Sequence, residues 1–286
     1  MRSISLIVLY LVIFFQEVTG QNTTSNAIEK LISPIDNFIE QQMTESGMVG
    51  LGAAIIINKE VVWIKGYGYA DLANKVPFTP HTIMNIASIS KTFVGASIMR
   101  AVEENKLSLD EDINNYLPFR VVNPFHPNEK VTLRNLATHT SSLTDRSSVY
   151  NKTYHYGGDS PVPLGEFLKA YFVPGGKHYS RKNFLEVKPG TQRTYSNIAA
   201  GLAGYIVEVT TGQKLNVYSK RHIFDPLEMN NTGWFLSEID LANHSKQYDK
   251  KRNKLKTIPL YGQSTYPDGG LRSSVAEVSK FFIALL

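Results

Sequence analysis

The sequence predicts an α+β fold, in which strands and helices occupy separate parts of the chain. Two β-rich runs, 52–57 and 61–65, flank a polar turn at 58–60, which is the pattern of a β-hairpin. Several helix patterns follow, and one further strand, a weak one, is indicated near 257–260. Because strands and helices do not alternate, the pattern does not indicate a parallel βαβ sheet.

Helix signals recur on both sides of the hairpin. Before it, Ser33-Pro34 fits a helix N-cap followed by proline at the first helical position. After it, apolar residues at helical spacing predict a helix over 88–104 and shorter helices over 132–137 and 198–210. These segments supply the helical part of the α+β fold.

Two segments carry weaker signals. Residues 145–190 are rich in Gly, Pro and Tyr and predict a long loop, either a wall or lid of a binding site or a glycosylated surface excursion. Residues 246–256 contain six cations, and a solvated hairpin tip is favoured over a nucleic-acid contact. The cations are Lys246, Lys250, Lys251, Arg252, Lys254 and Lys256.

Composition narrows the classes of function. A chain of 286 residues with 42% hydrophobic residues suits one large globular domain, or one domain built from two lobes. The net charge of +5 is too small, and the basic residues are too scattered, to indicate a nucleic-acid partner. The absence of cysteine excludes a thiol nucleophile and thiolate metal sites. The seven histidines show no ligand spacing, so we expect no metal and no other cofactor.

The N-terminus has the features of a secretory signal. Arg2 precedes an apolar run over 4–15, and small residues follow at 18–20. The run is shorter than the ~20 residues that span a bilayer, so we expect a signal peptide over 1–20, a secreted domain over 21–286 and no stable membrane span. An uncleaved N-terminal membrane anchor is the alternative. Four N-glycosylation sequons fit secretion: Asn22, Asn151, Asn230 and Asn243.

Ser88 and Lys91 form a Ser-x-x-Lys pattern where a loop becomes a helix. Free N–H groups and the helix dipole favour negative charge at that end, and the spacing puts Lys91 on the same helical face as Ser88. The lysine can ease ionisation of the serine as an ammonium, or act as a base when neutral. The structural alternative is an N-cap serine with a solvated lysine.

A second pattern, Tyr195-Ser196-Asn197, precedes the helix predicted over 198–210. A tyrosine beside cations can exchange a proton with a serine, and an asparagine amide can accept from Lys91 while donating to a substrate carbonyl. The structural alternative is a core tyrosine followed by a turn asparagine.

Five stretches together resemble the serine β-lactamase and penicillin-binding-protein family, in particular its class C-like branch with esterases and D-amino-acid peptidases. They occur in the family's order and span roughly residues 30 to 286. The stretches are GYGYAD (66–71), NIASISKTFVGASI (85–98), LATHTSSLTD (136–145), KPGTQRTYSNIAAGLAGYIVE (188–208) and DGGLRSSVAEVSKF (268–281).

The resemblance implies an antiparallel sheet flanked by helices, beside a helical lobe, with the site between them. It implies that Ser88 is the acylated nucleophile, Lys91 the adjacent amine, Tyr195 the proton-transferring phenol and Asn197 a substrate-positioning residue. The implied substrate is a small molecule or peptide: an ester, a β-lactam or a D-amino-acid peptide. Whether Lys91 or Tyr195 is the base stays open.

One family motif has no match in the sequence. The family carries Lys-Thr-Gly or His-x-Gly after Tyr-x-Asn, on a sheet strand that also supplies an oxyanion donor. No Lys or His in 198–286 has Gly two positions later. We therefore expect a domain that is incomplete at its C-terminus, without the last sheet strands, and weak or inactive as an enzyme. The alternative function is a non-catalytic binding relative or a gene fragment.

Overall fold

The computed structural model describes residues 21–251 and 254–286, with side chains described from Pro34 onward except near the gap. The chain divides into two compact units, 1–47 and 48–286. In the first unit, helix α1 (Gln21–Ser46) contains Pro34. The predicted start at Ser33-Pro34 is therefore wrong, because good helix formers such as Ala27, Glu29 and Leu31 extend the helix upstream.

The second unit contains the strands and the remaining helices. The strands are β1 (Gly50–Ile57), β2 (Glu60–Asp71), β3 (Val76–Pro77), β4 (Met84–Asn85), β5 (Tyr154–Tyr156), β6 (Gln247–Lys251), β7 (Lys254–Ile258), β8 (Tyr261–Gln263) and β9 (Arg272–Ser273). The helices are α2 (Ser90–Glu103), α3 (Leu133–Ala137), α4 (Ser147–Tyr150), α5 (Leu164–Phe172), α6 (Asn197–Thr211), α7 (Leu215–Ser219) and α8 (Val275–Leu285).

The predicted hairpin is confirmed and is part of a three-stranded antiparallel sheet with the order β1-β2-β3. Asn58 and Lys59 form its turn with φ values of 50° and 65°. Two residues in the left-handed region give a turn whose twist matches that of the flanking strands. A side chain added at Gly52 would contact Val275, which shows that α8 packs on β1.

Gly66 on β2 gives the first testable prediction, because a Cβ there would overlap the backbone carbonyl of Phe78. We expect Gly66→Ala to lower the free energy of unfolding by about 1–3 kcal/mol. The matched control is Gly95→Ala in α2, where an added Cβ meets nothing within 4 Å. This substitution should stabilise the helix by about 0.5–1 kcal/mol. Urea unfolding followed by circular dichroism measures both, and equal effects would contradict the packing argument.

The helical part of this unit is built around α6. This helix buries nearly its whole length, and it ends at Gly212, which has a φ of 69°. Phe93 of α2 stacks on Phe281 of α8 with ring centroids 3.8 Å apart. The packed helices thus hold the N-terminal ends of α2 and α6 in place, and these ends carry the residues singled out in the sequence.

The segment 145–190 is not the long loop that we expected, because it contains α4, β5 and α5. The amphipathic helix α5 was missed because glycines and prolines surround it, although its apolar residues have helical spacing. Its buried side chains are Leu164, Phe167, Leu168, Tyr171 and Phe172.

The basic cluster and two helix caps complete the fold. The basic cluster lies on the antiparallel β6–β7 hairpin, as predicted, with the tip at 252–253 outside the described residues. Thr132 caps α3 in a reciprocal capping box. Ser274 caps α8, but the Glu277 carboxylate accepts from the Asn231 N–H and the Thr232 hydroxyl rather than from the Ser274 N–H, so the capping box of α8 is only half formed.

None of the helices in the described part of the chain is long and apolar enough to cross a membrane.

Candidate active site

Ser88 lies in a short 3-10 turn directly before α2. The preceding residue, Ala87, has a φ of 48°, a left-handed conformation that is rare for alanine. Local hydrogen bonds hold this turn: Asn85 Oδ1 accepts from the Ala87 N–H at 2.9 Å, and Ser90 Oγ donates to the Ala87 carbonyl at 2.5 Å. The strained turn presents Ser88 at the exposed end of the helix.

Ser88 Oγ has both predicted partners within hydrogen-bond distance. Tyr195 Oη lies 2.9 Å away, and Lys91 Nζ donates to Ser88 Oγ across 3.2 Å. Lys91 Nζ also lies 5.0 Å from the centre of the Tyr195 ring. The structure therefore brings together one hydroxyl, one amine and one phenol, although Tyr195 is 107 residues from Ser88.

Asn197 completes the cluster. Its Oδ1 accepts from Lys91 Nζ at 2.9 Å, and its Nδ2 donates to Asp145 Oδ2 at 3.0 Å. A carboxylate only accepts, so the contact with Asp145 fixes which end of the amide faces Lys91. The predicted contact with Lys91 is found. The Asn197 amide was also predicted to donate to a substrate carbonyl, and one of its two N–H groups is already used by Asp145.

Lys91 Nζ has three acceptors: Ser88 Oγ, Asn197 Oδ1 and the backbone carbonyl of Asp268. An ammonium has three N–H donors and a neutral amine has two. As an ammonium, Lys91 has one donor for each of the three acceptors.

Asp145 is a residue of the site that sequence reasoning missed. Its carboxylate accepts from the Ser196 hydroxyl at 2.7 Å and from the backbone N–H groups of Asn197 and Ile198 at 2.8 and 3.0 Å. It thus caps α6 from a distant loop, where the helix dipole favours negative charge. Asp145 closes the stretch 136–145 that carried the resemblance, which is the one signal that pointed to it.

His139 is a second residue that sequence reasoning missed. Its ring lies against Tyr195, with centroids 4.4 Å apart, and its Nδ1 accepts from the Ser196 N–H at 3.4 Å. Burial lowers the pKa of His139, and the charges of Lys91 and Arg193 lower it further, against an opposing effect of Asp145. A neutral imidazole therefore supports the Tyr195 ring at neutral pH.

The predicted glycosylation sites are only partly described. Asn151, Asn230 and Asn243 are exposed. Asn243 donates through its side-chain amide to Asp240 at 2.9 Å. Asn22 lies within α1, and its side chain is outside the described residues, as is the predicted signal peptide over 1–20. Glycosylation and secretion stay predictions.

Within 21–251 and 254–286, no group of three or more His, Cys, Asp or Glu side chains is arranged to hold a metal ion. The donors around Ser88 are one amine, one phenol and one amide, which suit proton transfer rather than metal coordination.

Comparison with known proteins adds an independent finding. A family model described as Beta-lactamase matches residues 35–286. Protein flp of Staphylococcus aureus (strain MRSA252) is 30% identical over 204 residues, which make up 70% of this chain and 38% of that protein. The chain therefore spans about two fifths of the length of this curated relative.

Solved structures show the same relationship. The octameric penicillin-binding protein homologue from Pyrococcus abyssi matches with a TM-score of 0.74 and 30% identity, over 88% of this chain and 55% of that chain. A class C beta lactamase matches with a TM-score of 0.69 and 22% identity, over 89% and 64% of the two chains. The predicted fold, of the β-lactamase and DD-peptidase type, is thereby confirmed.

Proposed function

Because the chain belongs to the beta-lactamase family, we propose that it is a serine hydrolase that opens an ester or amide through an acyl-enzyme on Ser88. Family membership alone does not establish activity, because one fold can host several chemistries. The proposal therefore depends on the geometry around Ser88.

The observation that carries the proposal is the position of Ser88 Oγ. It lies within hydrogen-bond distance of both Tyr195 Oη and Lys91 Nζ, at the N-terminal end of α2. A nucleophilic serine needs a group that accepts its proton and a positive environment for the charge that develops on oxygen. The cluster offers both.

The contacts of Lys91 divide these roles. All three N–H donors of the charged amine are directed at acceptors, so Lys91 serves as the cation beside the developing charge. Tyr195 Oη, as a phenolate beside this cation, then takes the Ser88 proton and, as the phenol so formed, passes it to the leaving group. These contacts support Tyr195 as the base, a choice that the sequence left open.

The substrate that we propose is a small ester, a β-lactam or a D-amino-acid peptide, bound without a cofactor. Its class is supported by the penicillin-binding protein homologue and the class C beta lactamase, whose own names concern β-lactam chemistry. We also propose a secreted, glycosylated protein, on the N-terminal pattern and the exposed Asn151, Asn230 and Asn243; an N-terminal membrane anchor is the alternative.

A second candidate function is ligand binding with little or no turnover. It is favoured by the absence of a Lys-x-Gly or His-x-Gly triplet from the sequence after Tyr195. Loss of one oxyanion donor costs about 10²–10³ in rate in a serine hydrolase. Such a protein would form the acyl-enzyme slowly or not at all.

Covalent labelling of the purified chain tests the proposal. We expect a fluorophosphonate or a labelled penicillin to add one adduct, which intact mass and peptide mapping place on Ser88. The adduct should be absent from Ser88→Ala and retained in Ser237→Ala, which changes an exposed serine outside the cluster around Ser88. An unlabelled chain that circular dichroism shows to be folded would refute the hydrolase and favour the binding function.

A further inference from the structure

The Asp268 carboxyl is a buried acid close to the site that has no part in the mechanism above. Its side chain is buried, and the residue is 1% exposed. Oδ1 accepts from the Tyr150 hydroxyl at 2.9 Å, and the neighbouring Thr265 hydroxyl lowers the pKa of this carboxyl. Oδ2 has no hydrogen bond of ordinary geometry in the described part of the chain. An ionised carboxylate with so few donors is costly unless a cation lies nearby.

Lys91 is the cation whose positive charge acts on this carboxyl. The backbone carbonyl of Asp268 accepts from Lys91 Nζ, so a direct hydrogen bond holds the ammonium near this residue. Asn85 anchors the same loop, because its Nδ2 donates to the Gly269 carbonyl at 3.1 Å while its Oδ1 holds the turn before Ser88. The loop at 268–270 and the nucleophile turn are therefore one connected structure.

The other titratable groups around the carboxyl do not replace this cation. Burial raises the pKa of Tyr150, Tyr154 and Tyr261, so these three side chains stay neutral. The fourth group is the acid Asp145, which opposes ionisation of Asp268. Of the charged groups that act on Asp268, Lys91 is the one that favours its carboxylate form.

Burial raises the pKa of Asp268 to about 6, and the positive charge of Lys91 opposes that rise. A raised pKa means that the carboxyl is neutral below about 6 and ionised above it. The Asp268 carboxyl therefore gains its negative charge as the pH rises from mildly acidic to neutral.

We propose, on the basis of the serine hydrolase function above, that Asp268 is a positioning residue: its carboxylate attracts the Lys91 ammonium and keeps it in the position that faces Ser88. Electrostatic coupling between two sites is reciprocal, so the effect of Lys91 on Asp268 equals the effect of Asp268 on Lys91. The coupling is accordingly measurable on the acid, without any catalytic activity.

The direct test is an NMR titration of the carboxyl carbon of Asp268 in the wild type and in Lys91→Met. The signal is assigned by its loss in Asp268→Asn. We expect the midpoint to rise by about one pH unit when the positive charge of Lys91 is removed. Lys188→Met, which changes an exposed lysine paired with Glu129, is the control and should leave the midpoint in place. An unchanged midpoint in Lys91→Met would overturn the proposal whether or not the protein is active.

The kinetic test compares wild type and Asp268→Asn in the rate at which a fluorophosphonate labels Ser88. Near pH 5 the wild-type carboxyl is neutral, so the two proteins should react alike; near pH 8 the wild type should react about tenfold faster. Asp110→Asn, an exposed acid paired with Arg134, controls for the substitution itself. A uniform loss at every pH would indicate a structural role and contradict the proposal.

The two tests separate this inference from the function on which it rests. Wild-type protein that does not label at any pH would refute the hydrolase, and the NMR titration would still decide whether Asp268 and Lys91 are coupled. Labelling with the same pH profile in wild type and Asp268→Asn would refute the role of Asp268 alone.

Discussion

Replacing Tyr195 by phenylalanine is expected to lower the rate of Ser88 labelling by about 10²–10⁴-fold, the usual contribution of a positioned general base. The change removes one oxygen, the atom 2.9 Å from Ser88 Oγ. The ring should keep its contacts, because it lies against His139 at 4.4 Å and near Lys91 Nζ at 5.0 Å. Stopped or quenched labelling with a fluorophosphonate measures the rate.

The control for this substitution is Tyr69→Phe on β2. That tyrosine is another partly exposed one, 40% exposed against 46% for Tyr195, and it lies outside the cluster around Ser88. We expect its labelling rate to match that of the wild type. If Tyr195→Phe also labelled at the wild-type rate, the proton would have to go to Lys91, and the assignment of Tyr195 as base would be wrong.

Local chemistry of this site was predictable from the sequence. Ser88 and Lys91 are three residues apart at a helix start, so helical geometry alone places them together. Asn197 was expected to accept from Lys91, and it does. Tyr195 and Asn197 were recognised as one short pattern, which kept their spacing although they lie more than a hundred residues from Ser88.

Contacts that depend on distant loops were not predictable. Asp145 lies 52 residues before Asn197, and nothing in its own stretch indicates that it caps another helix. Ala87 gave no signal either, because alanine rarely adopts a left-handed conformation and the surrounding hydrogen bonds impose it. The overall fold was predictable because the hairpin and most helices have clear local sequence patterns, whereas α5 was missed because turn-forming residues surround it.

These distant contacts decide the geometry of the site. The charged groups of the cluster come from separate parts of the chain: Lys91 lies in the first turn of α2, Asp145 closes the 136–145 stretch, and Asp268 precedes Gly269 and Gly270. Asp145 sets the orientation of the Asn197 amide, and that amide shares Lys91 with the Asp268 carbonyl. A change at Asp145 is therefore expected to disturb both folding and chemistry.

Replacing Asp145 by alanine is expected to lower the free energy of unfolding by about 3 kcal/mol, since hydrogen bonds to a charged group contribute about 1.5–3 kcal/mol each and the half-buried site lets water replace part of them. Four donors at the start of α6 lose their acceptor: the Ser196 hydroxyl, the Asn197 and Ile198 N–H groups and the Asn197 amide. Urea unfolding followed by circular dichroism measures the loss. Asp110→Ala, which breaks an exposed ion pair, should change little by comparison.

The same variant separates folding from positioning. Where Asp145→Ala is still folded, the freed Asn197 amide can turn, so that its N–H₂ end rather than its oxygen faces Lys91. Labelling of Ser88 should then be slower than the folded fraction alone explains. Labelling that falls only in proportion to the folded fraction would mean that Asp145 supports α6 and nothing more, and that Asn197 keeps its orientation by other contacts.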